Sequence, residues 1–515
     1  GRLWSGFHRK TVHERTRQLG LVYPDVEVDC YKAGGLSLSQ ADLMVENCVG
    51  MVSLPVGLGL HFLIDNERFS IPMAVEEPSI IAAASASAQF IGKHGGFTCE
   101  TSGSTMIGQV HLVDFANAAA ALKAVENIRS RHDDIMREAN TFCESMVQRG
   151  GGLRKLHVRF LDDGAPLVIV HLLIDVCDAM GANVVNTVCE GISPMLQELS
   201  GAHSLLKILS NLCVYRKSSA RFRIPIDKMA YRGYDGEAVA KRMVQCFDCA
   251  SRDIFRAVTL NKGIMNGVDA VALACGQDWR AIESGNHAFA TLEEGADGLP
   301  NQGRYKPLAK FTIVDDPAQG RCLQGQITLA LAVGVKGGAL RTNPFYSQSL
   351  HILGNPSSAK LASIMCCVGL ANTFAANRAI ATEGINRGHM ALHAKNICIA
   401  AGVPGELVTE VVNFMKATKK FDRATALGYM RAHQLFKVLR VQSPVLRPPS
   451  ISPSTLFVAW SGQNGQPDLS LHVAFEGLTA QPIHLSITEG SEKTNEKASP
   501  TEAAILGDLL GGSGV

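Results

Sequence analysis

Three segments bring together residues that can move protons or hold charge. In Val75-Glu76-Glu77-Pro78-Ser79, two carboxylates precede an alanine-rich run at 80–88. Proline there suits a first helical turn, and a carboxylate packed against apolar neighbours holds its proton more tightly and can donate it. The plainer role for the pair is a solvated cap that favours the helix dipole. In Asn261-Lys262-Gly263-Ile264-Met265-Asn266-Gly267, a lysine stands in an apolar stretch with little helix or strand preference. If buried, Lys262 needs a carboxylate to remain cationic. Asp278, in Gly276-Gln277-Asp278-Trp279-Arg280, is the downstream candidate, whether for catalysis or for a structural bridge. In Arg387-Gly388-His389-Met390-Ala391-Leu392-His393, two histidines four apart share a helical face. A zinc protease needs glutamate after the first of them; Met390 stands there instead, so His389 reads as a proton-transfer group or a satisfied, half-buried ring.

No G-x-G-x-x-G fingerprint follows a strand; Gly57-Leu58-Gly59 is incomplete, which argues against an ordinary dinucleotide fold. Asp178-Ala179-Met180-Gly181-Ala182-Asn183 follows an apolar strand and opens a helix-like run. Its small residues permit close backbone approach, and a helix start can receive phosphate. Cys246 and Cys249 form the one C-x-x-C spacing, without a second pair nearby, so neither a zinc site nor a redox motif is expected.

Elements of mixed class must position these groups. Apolar residues recur every three or four positions over 11–22, 115–147, 237–259 and 357–383, which predicts helices. Apolar runs bounded by turn residues predict strands around 69–73, 110–112, 156–160, 167–174 and 207–212. No fixed repeat points to a solenoid. The expected fold class is therefore α/β, in the mixed α+β sense. At 515 residues the chain exceeds one core's capacity and should form several domains. With 49 basic and 47 acidic residues, it carries no nucleic-acid or membrane-surface signature. Its 14 scattered cysteines suit reduced thiols, hence a cytoplasmic setting. No signal peptide is visible, and no apolar run is expected to reach membrane-spanning length. The chain starts at Gly1 rather than Met, so residues can precede it. A proline-rich stretch at 443–453 reads as a stiff linker, followed by alternating segments at 455–460, 469–475 and 483–487 that predict a three-stranded meander. The polar stretch 491–502 is expected to be disordered.

Taken together these segments resemble class II 3-hydroxy-3-methylglutaryl-CoA (HMG-CoA) reductases from about residue 6 to about 439. Glu46-Asn47-Cys48-Val49-Gly50, 72–79, 178–183, 261–267 and 384–393 occur in that family's order with similar separations. The resemblance implies two successive hydride transfers from NADPH or NADH, reducing HMG-CoA through a hemithioacetal and mevaldehyde to mevalonate and CoA. It also implies four catalytic roles. Lys262 would stabilise negative charge on the carbonyl oxygen, Asp278 would orient the lysine, Glu77 would deliver a proton, and His389 would protonate the departing CoA thiolate. Ser79, Arg256 and Asn266 would bind the HMG portion; Glu46 and Arg9, with His8, would contact CoA. Asp178, Met180, Gly181, Ala182, Asn183 and Asn211 would hold the cofactor. Asn372 stands where family members often carry a glutamine near CoA.

The same resemblance implies a large mixed domain built from 1–103 and 212–376, with an inserted ferredoxin-like cofactor domain at 104–211. A helical lid at 377–439 would carry His389, and 440–515 would be an extension without an assigned role. It implies no metal or membrane anchor, and a homodimer or larger assembly with the site at the subunit interface. The cofactor choice is weakly written: Glu144 suits a ribose hydroxyl and Arg149 a 2′-phosphate, and Cys143 stands where NAD-preferring members carry aspartate, which leans toward NADPH. Two other readings share these residues. One is the degradative direction, in which NAD oxidises mevalonate; the other is a non-catalytic CoA-binding scaffold.

Overall fold

The strands Thr105–Val113, Gly152–Leu161, Leu167–Asp175 and His203–Ser210 form one antiparallel sheet, and Thr105–Val113 and Leu167–Asp175 are its most buried members. Leu167–Asp175 and Thr105–Val113 lie at its centre, with Gly152–Leu161 and His203–Ser210 at the edges. Helices Ala118–Ser130, His132–Thr141 and Ala182–Ser200 complete a β-α-β-β-α-β chain order and share a core with the sheet that includes Val110, Ile128, Val170, Val188 and Ile192. Gly108 explains how closely the last helix lies on the sheet, since a Cβ there would come within 2.4 Å of the Cys189 sulfur. The structure, a computed structural model, describes residues 3–294, 300–337 and 339–430, with strand residues 450–452, 455–461, 467–475 and 482–488.

A second antiparallel sheet runs in the order Ala309–Asp316, Gly320–Ala330, Lys217–Pro225, Thr98–Thr101. The hairpin Val56–Ile64 with Glu67–Ala74 accompanies it in the larger core. Through that core passes the helix Ser358–Ala381, apolar on nearly every side and packed against helices Ile254–Ala274 and Ile80–Gly92. No membrane-length apolar segment was expected, yet this helix is long and apolar enough to cross a membrane. The correction has a physical reason: 78% of its most apolar window is buried within protein, and a helix apolar all round is the mark of a core element.

Other departures are local. The 115–147 stretch divides at Arg131 and again at 142–143 into three helices, Ala118–Ser130, His132–Thr141 and Glu144–Val147. The 237–259 stretch divides at Asp253, whose carboxylate accepts a hydrogen bond from the Phe255 N–H at 3.1 Å and so caps the next helix. That next helix continues through the lysine segment, which sequence had left without regular structure. Of its two glycines, Gly267 answers to a close neighbour, since a Cβ there would stand 2.2 Å from Asn372 Nδ2, whereas a Cβ on Gly263 would meet open space.

The chain divides into two compact units, 1–384 and 385–515. The expected domain edge at 376 thus falls inside the helix Ser358–Ala381. The second unit holds helices Ile385–Ala400 and Val408–Thr418, with Ala394, Cys398, Val411, Val412 and Met415 in a small core. It also holds a four-stranded antiparallel meander, Ser450–Ser452, Thr455–Ser461, Pro467–Phe475 and Pro482–Thr488. The sequence reading had three of these strands. Most of the 443–453 linker and all of the 491–502 stretch lie outside the described residues.

Candidate active site

The hairpin's second strand ends at Ala74, and Pro78 leads the chain into helix Ile80–Gly92, with Glu77 exposed just before it. Lys262 projects from the middle of helix Ile254–Ala274, and its Nζ stands 3.0 Å from Glu77 Oε2. Two segments 185 residues apart therefore meet as an ammonium–carboxylate pair. The expected Lys262–Asp278 bridge does not form among the described residues. Asp278 instead caps helix Trp279–Phe289 through the Ala281 N–H at 3.1 Å and pairs with Arg280 at 3.5 Å. The reason is positional: as the N-cap, Asp278 spends one carboxylate oxygen on an otherwise unpaired helix amide.

Ser79 is the strained member of the group. It is the N-cap of its helix with φ 83°, a left-handed conformation unusual for a side chain bearing a Cβ. It makes no side-chain cap, and its Oγ is buried without a partner. Strain and an orphaned hydroxyl beside an ion pair are features that surrounding structure maintains at functional positions. Asn266 lies one turn beyond Lys262 on the same helical face and is half-buried, as is Arg256 in the helix's first turn.

The Asp178–Asn183 turn is held from beneath. Asp178 Oδ1 accepts the Ser358 N–H at 2.8 Å, and its carbonyl accepts the Val335 N–H at 2.9 Å. Gly181, at φ 100°, is the N-cap of helix Ala182–Ser200 and leaves the first helical amides without a side-chain cap. That uncapped start fits a phosphate-bearing cofactor, because free amides and the helix dipole favour an anion. Asn183 is exposed in the first helical turn, and Asn211 is exposed just past strand His203–Ser210. Glu46 and Arg9 are exposed, the former in a turn after helix Leu38–Met44 and the latter in the short helix Phe7–Arg9. Asn372 is a core residue, 7% exposed. The backbone of His389 lies in helix Ile385–Ala400, in the second unit; its side chain falls outside the described residues.

Sequence reasoning missed Arg216, Gln277 and Gly334. Gln277 is buried beside Asp278 and exchanges two hydrogen bonds with the Gly334 backbone, at 2.8 and 2.9 Å. Gly334 in turn touches the 178–183 turn, where a Cβ would come 2.2 Å from Met180 N. A chain of contacts thus ties Asp278's neighbour to Met180. The only local signal was the adjacency of Gln277 to Asp278; Arg216 and Gly334 carry none.

Comparisons with known proteins identify the family. The model of the hydroxymethylglutaryl-coenzyme A reductase family matches residues 11–394. A 3-hydroxy-3-methylglutaryl-coenzyme A reductase of Archaeoglobus fulgidus is 41% identical over 415 residues, covering 80% of this chain and 90% of that protein. A probable enzyme of the same description from Borreliella burgdorferi is 32% identical, covering 69% of this chain and 77% of that protein. Among solved structures, the reductase of Streptococcus pneumoniae superposes with a TM-score of 0.68 at 37% identity, covering 83% of this chain and 99% of that one. The class II enzyme of the same organism, bound to NADPH in open conformations, gives 0.67 at 37% identity over 74% of this chain and all of that one. This chain therefore belongs to the class II branch of the hydroxymethylglutaryl-coenzyme A reductase family.

Proposed function

We propose that the protein reduces HMG-CoA to mevalonate and free CoA, with Lys262, Glu77, Asp278 and His389 carrying the proton and charge chemistry. The observation that carries this reading is the Lys262–Glu77 pair at 3.0 Å beside the unpartnered Ser79 hydroxyl. A nicotinamide cofactor supplies the hydride for each of two reductions. As each hydride arrives, charge develops on the carbonyl oxygen, and the Lys262 ammonium is the donor that stabilises it. Glu77, within hydrogen-bond reach of that ammonium, delivers the proton that neutralises the oxygen. Asp278 is the residue that orients the lysine, on the strength of its place in the family's motif order, although its carboxylate here caps a helix. His389 protonates the departing thiolate, on the strength of its place in the family's motif order. Ser79, Arg256 and Asn266 bind the acid, with Arg256 as the carboxylate's partner; Arg9 and Glu46 contact CoA.

Residues 178–183 and Asn211 bind the cofactor, supported by the uncapped helix start. NADPH is the preferred form. Cys143 is buried, its thiol pushed up by burial, so it offers no acid to a ribose 2′-hydroxyl. Arg149 is exposed, and its carbonyl lies 3.7 Å from the Cys177 sulfur, next to Asp178. The domain arrangement 1–103 with 212–376, an inserted ferredoxin-like 104–211 and a lid at 377–439 belongs to the same proposal, supported by the β-α-β-β-α-β order. So do a homodimer with an interfacial site and a cytoplasmic location. The test is a spectrophotometric assay with HMG-CoA and each reduced cofactor. Two equivalents of NADPH oxidised per mevalonate are expected, with NADH poorer; absence of turnover with both cofactors sinks the reading.

A further inference from the structure

Arg216 is 4% exposed and makes no ion pair among the described residues. Its guanidinium instead donates to carbonyls of two separate segments: Nη1 to Met180 at 3.1 Å, Nη2 to Ala179 at 3.0 Å, and Nη2 also to Val333. Burial pushes its pKa down; the Cys213 thiol, Asp175 and Asp178 act the other way. A buried cation costs several kcal/mol unless its donors are satisfied, so so enclosed an arginine calls for an explanation beyond packing. The acceptors supply one. On the reading of residues 178–183 as the cofactor turn, we propose that Arg216 is the positioning residue that presents this turn's amides to the cofactor's phosphates.

The geometry follows from peptide planarity. In a trans peptide the carbonyl and the next N–H point in opposite directions, and no cis peptide occurs among the described residues. Turning the Met180 carbonyl toward Arg216 therefore turns the Gly181 N–H away from it, at the uncapped start of helix Ala182–Ser200. Gly334 braces the turn from a second side, and Gln277 holds Gly334. A planar fork spreads its donors over separate nitrogens in fixed directions, here Nη1 and Nη2, whereas a lysine's three donors radiate from one atom and cannot reproduce that span.

Binding of NADPH, followed by cofactor fluorescence on the full-length protein, tests this alongside steady-state kinetics. Arg216→Lys should raise the Kd for NADPH by about 10-fold or more, the loss of one or two hydrogen bonds to a buried charge. The KM for HMG-CoA should stay within about 2-fold, since no assigned substrate group touches Arg216. Arg216→Ala should regain NADPH affinity with added guanidinium ion and not with ammonium. Arg216 borders an open hollow of about 250 Å³, shared with Thr101, Ser104 and Asp178, through which the ion can enter. If Arg216→Ala does not fold, Gly334→Ala displaces the turn from its other side and should show the same selective loss. Wild-type NADPH affinity in the Arg216 variants, or equal losses for NADPH and HMG-CoA, overturns the proposal. Asn183→Asp separates the two levels by placing a carboxylate at the phosphate site. If it weakens NADPH binding while the Arg216 variants do not, only the positioning role fails. If it too is without effect, the turn is not the cofactor site and both readings fall.

Discussion

At the scale of single residues, the family's chemistry concentrates on Lys262. Lys262→Ala should lower kcat for both HMG-CoA and mevaldehyde by about 100-fold or more, the usual cost of one oxyanion donor. A rate near wild type for either substrate would remove the lysine from that role. His389→Gln should lose HMG-CoA reduction and keep much of the mevaldehyde reduction, because only the first substrate releases a thiolate; equal losses would point to a structural histidine. A pH dependence of stability is expected at Asp269. Burial, with repulsion from Glu283, pushes the Asp269 carboxyl up to about 7, and its Oδ1 has no partner. From the ordinary value of 3.8 up to about 7, the unfolded chain has released this proton while the folded chain keeps it. Stability therefore falls as pH rises through that window. Asp269→Asn should remove the penalty, gaining about 2 to 4 kcal/mol near pH 8 and clearly less near pH 5. Thermal unfolding at the two pH values checks this, and an equal gain at both would reject it. Lys262, Glu77 and Asp278 were legible in sequence because each interrupts an apolar stretch with a charge. Arg216 was not, since its meaning lies in three carbonyls 36 to 117 residues away.

At the scale of elements, periodicity carried most of the reading and failed where tertiary packing overrides propensity. Helix 11–22 was legible from its periodicity, and the structure adds its cap: Thr11 and Glu14 form a reciprocal capping box at the start of Val12–Val22. The lysine segment was misread because its two glycines are poor helix formers. In the fold, Gly267 is required by the crossing of helices Ile254–Ala274 and Ser358–Ala381, where Asn372 presses against it. Gly267→Ala should destabilise by about 1 to 3 kcal/mol through overpacking. Asn372→Ala should recover part of that loss, since the amide it removes is the atom a Cβ would strike and is itself unpaired. A double-mutant cycle in urea measures the coupling; strictly additive losses would show that the two helices do not meet through this pair.

At the scale of the whole molecule, the order of motifs identified the family, whereas the partition into units came from contacts no single segment reveals. The boundary at 384 lies eight residues past the edge at 376 expected from sequence, because helix Ser358–Ala381 runs through that edge, and periodicity does not mark where a helix changes neighbours. Beyond it, the strands of 450–488 pair in register only with one another among the described residues: Leu456 with Val473, Val458 with Leu471, Val473 with Leu485. Every residue assigned to substrate, cofactor or proton transfer lies before 440. Deleting 441–515 should accordingly leave a folded enzyme whose kcat and KM stay within about 2-fold of the full chain, since a meander that forms its own ladder takes no backbone partner from the remainder. Three to four short strands are too little to form an independent core, so the deletion is expected to change thermal stability or the assembled mass before it changes the chemistry. Kinetics and light scattering on both forms decide between the alternatives. A collapse in kcat at unchanged mass would mean that the extension supplies something to the active site that neither the motif order nor the strand pairing reveals.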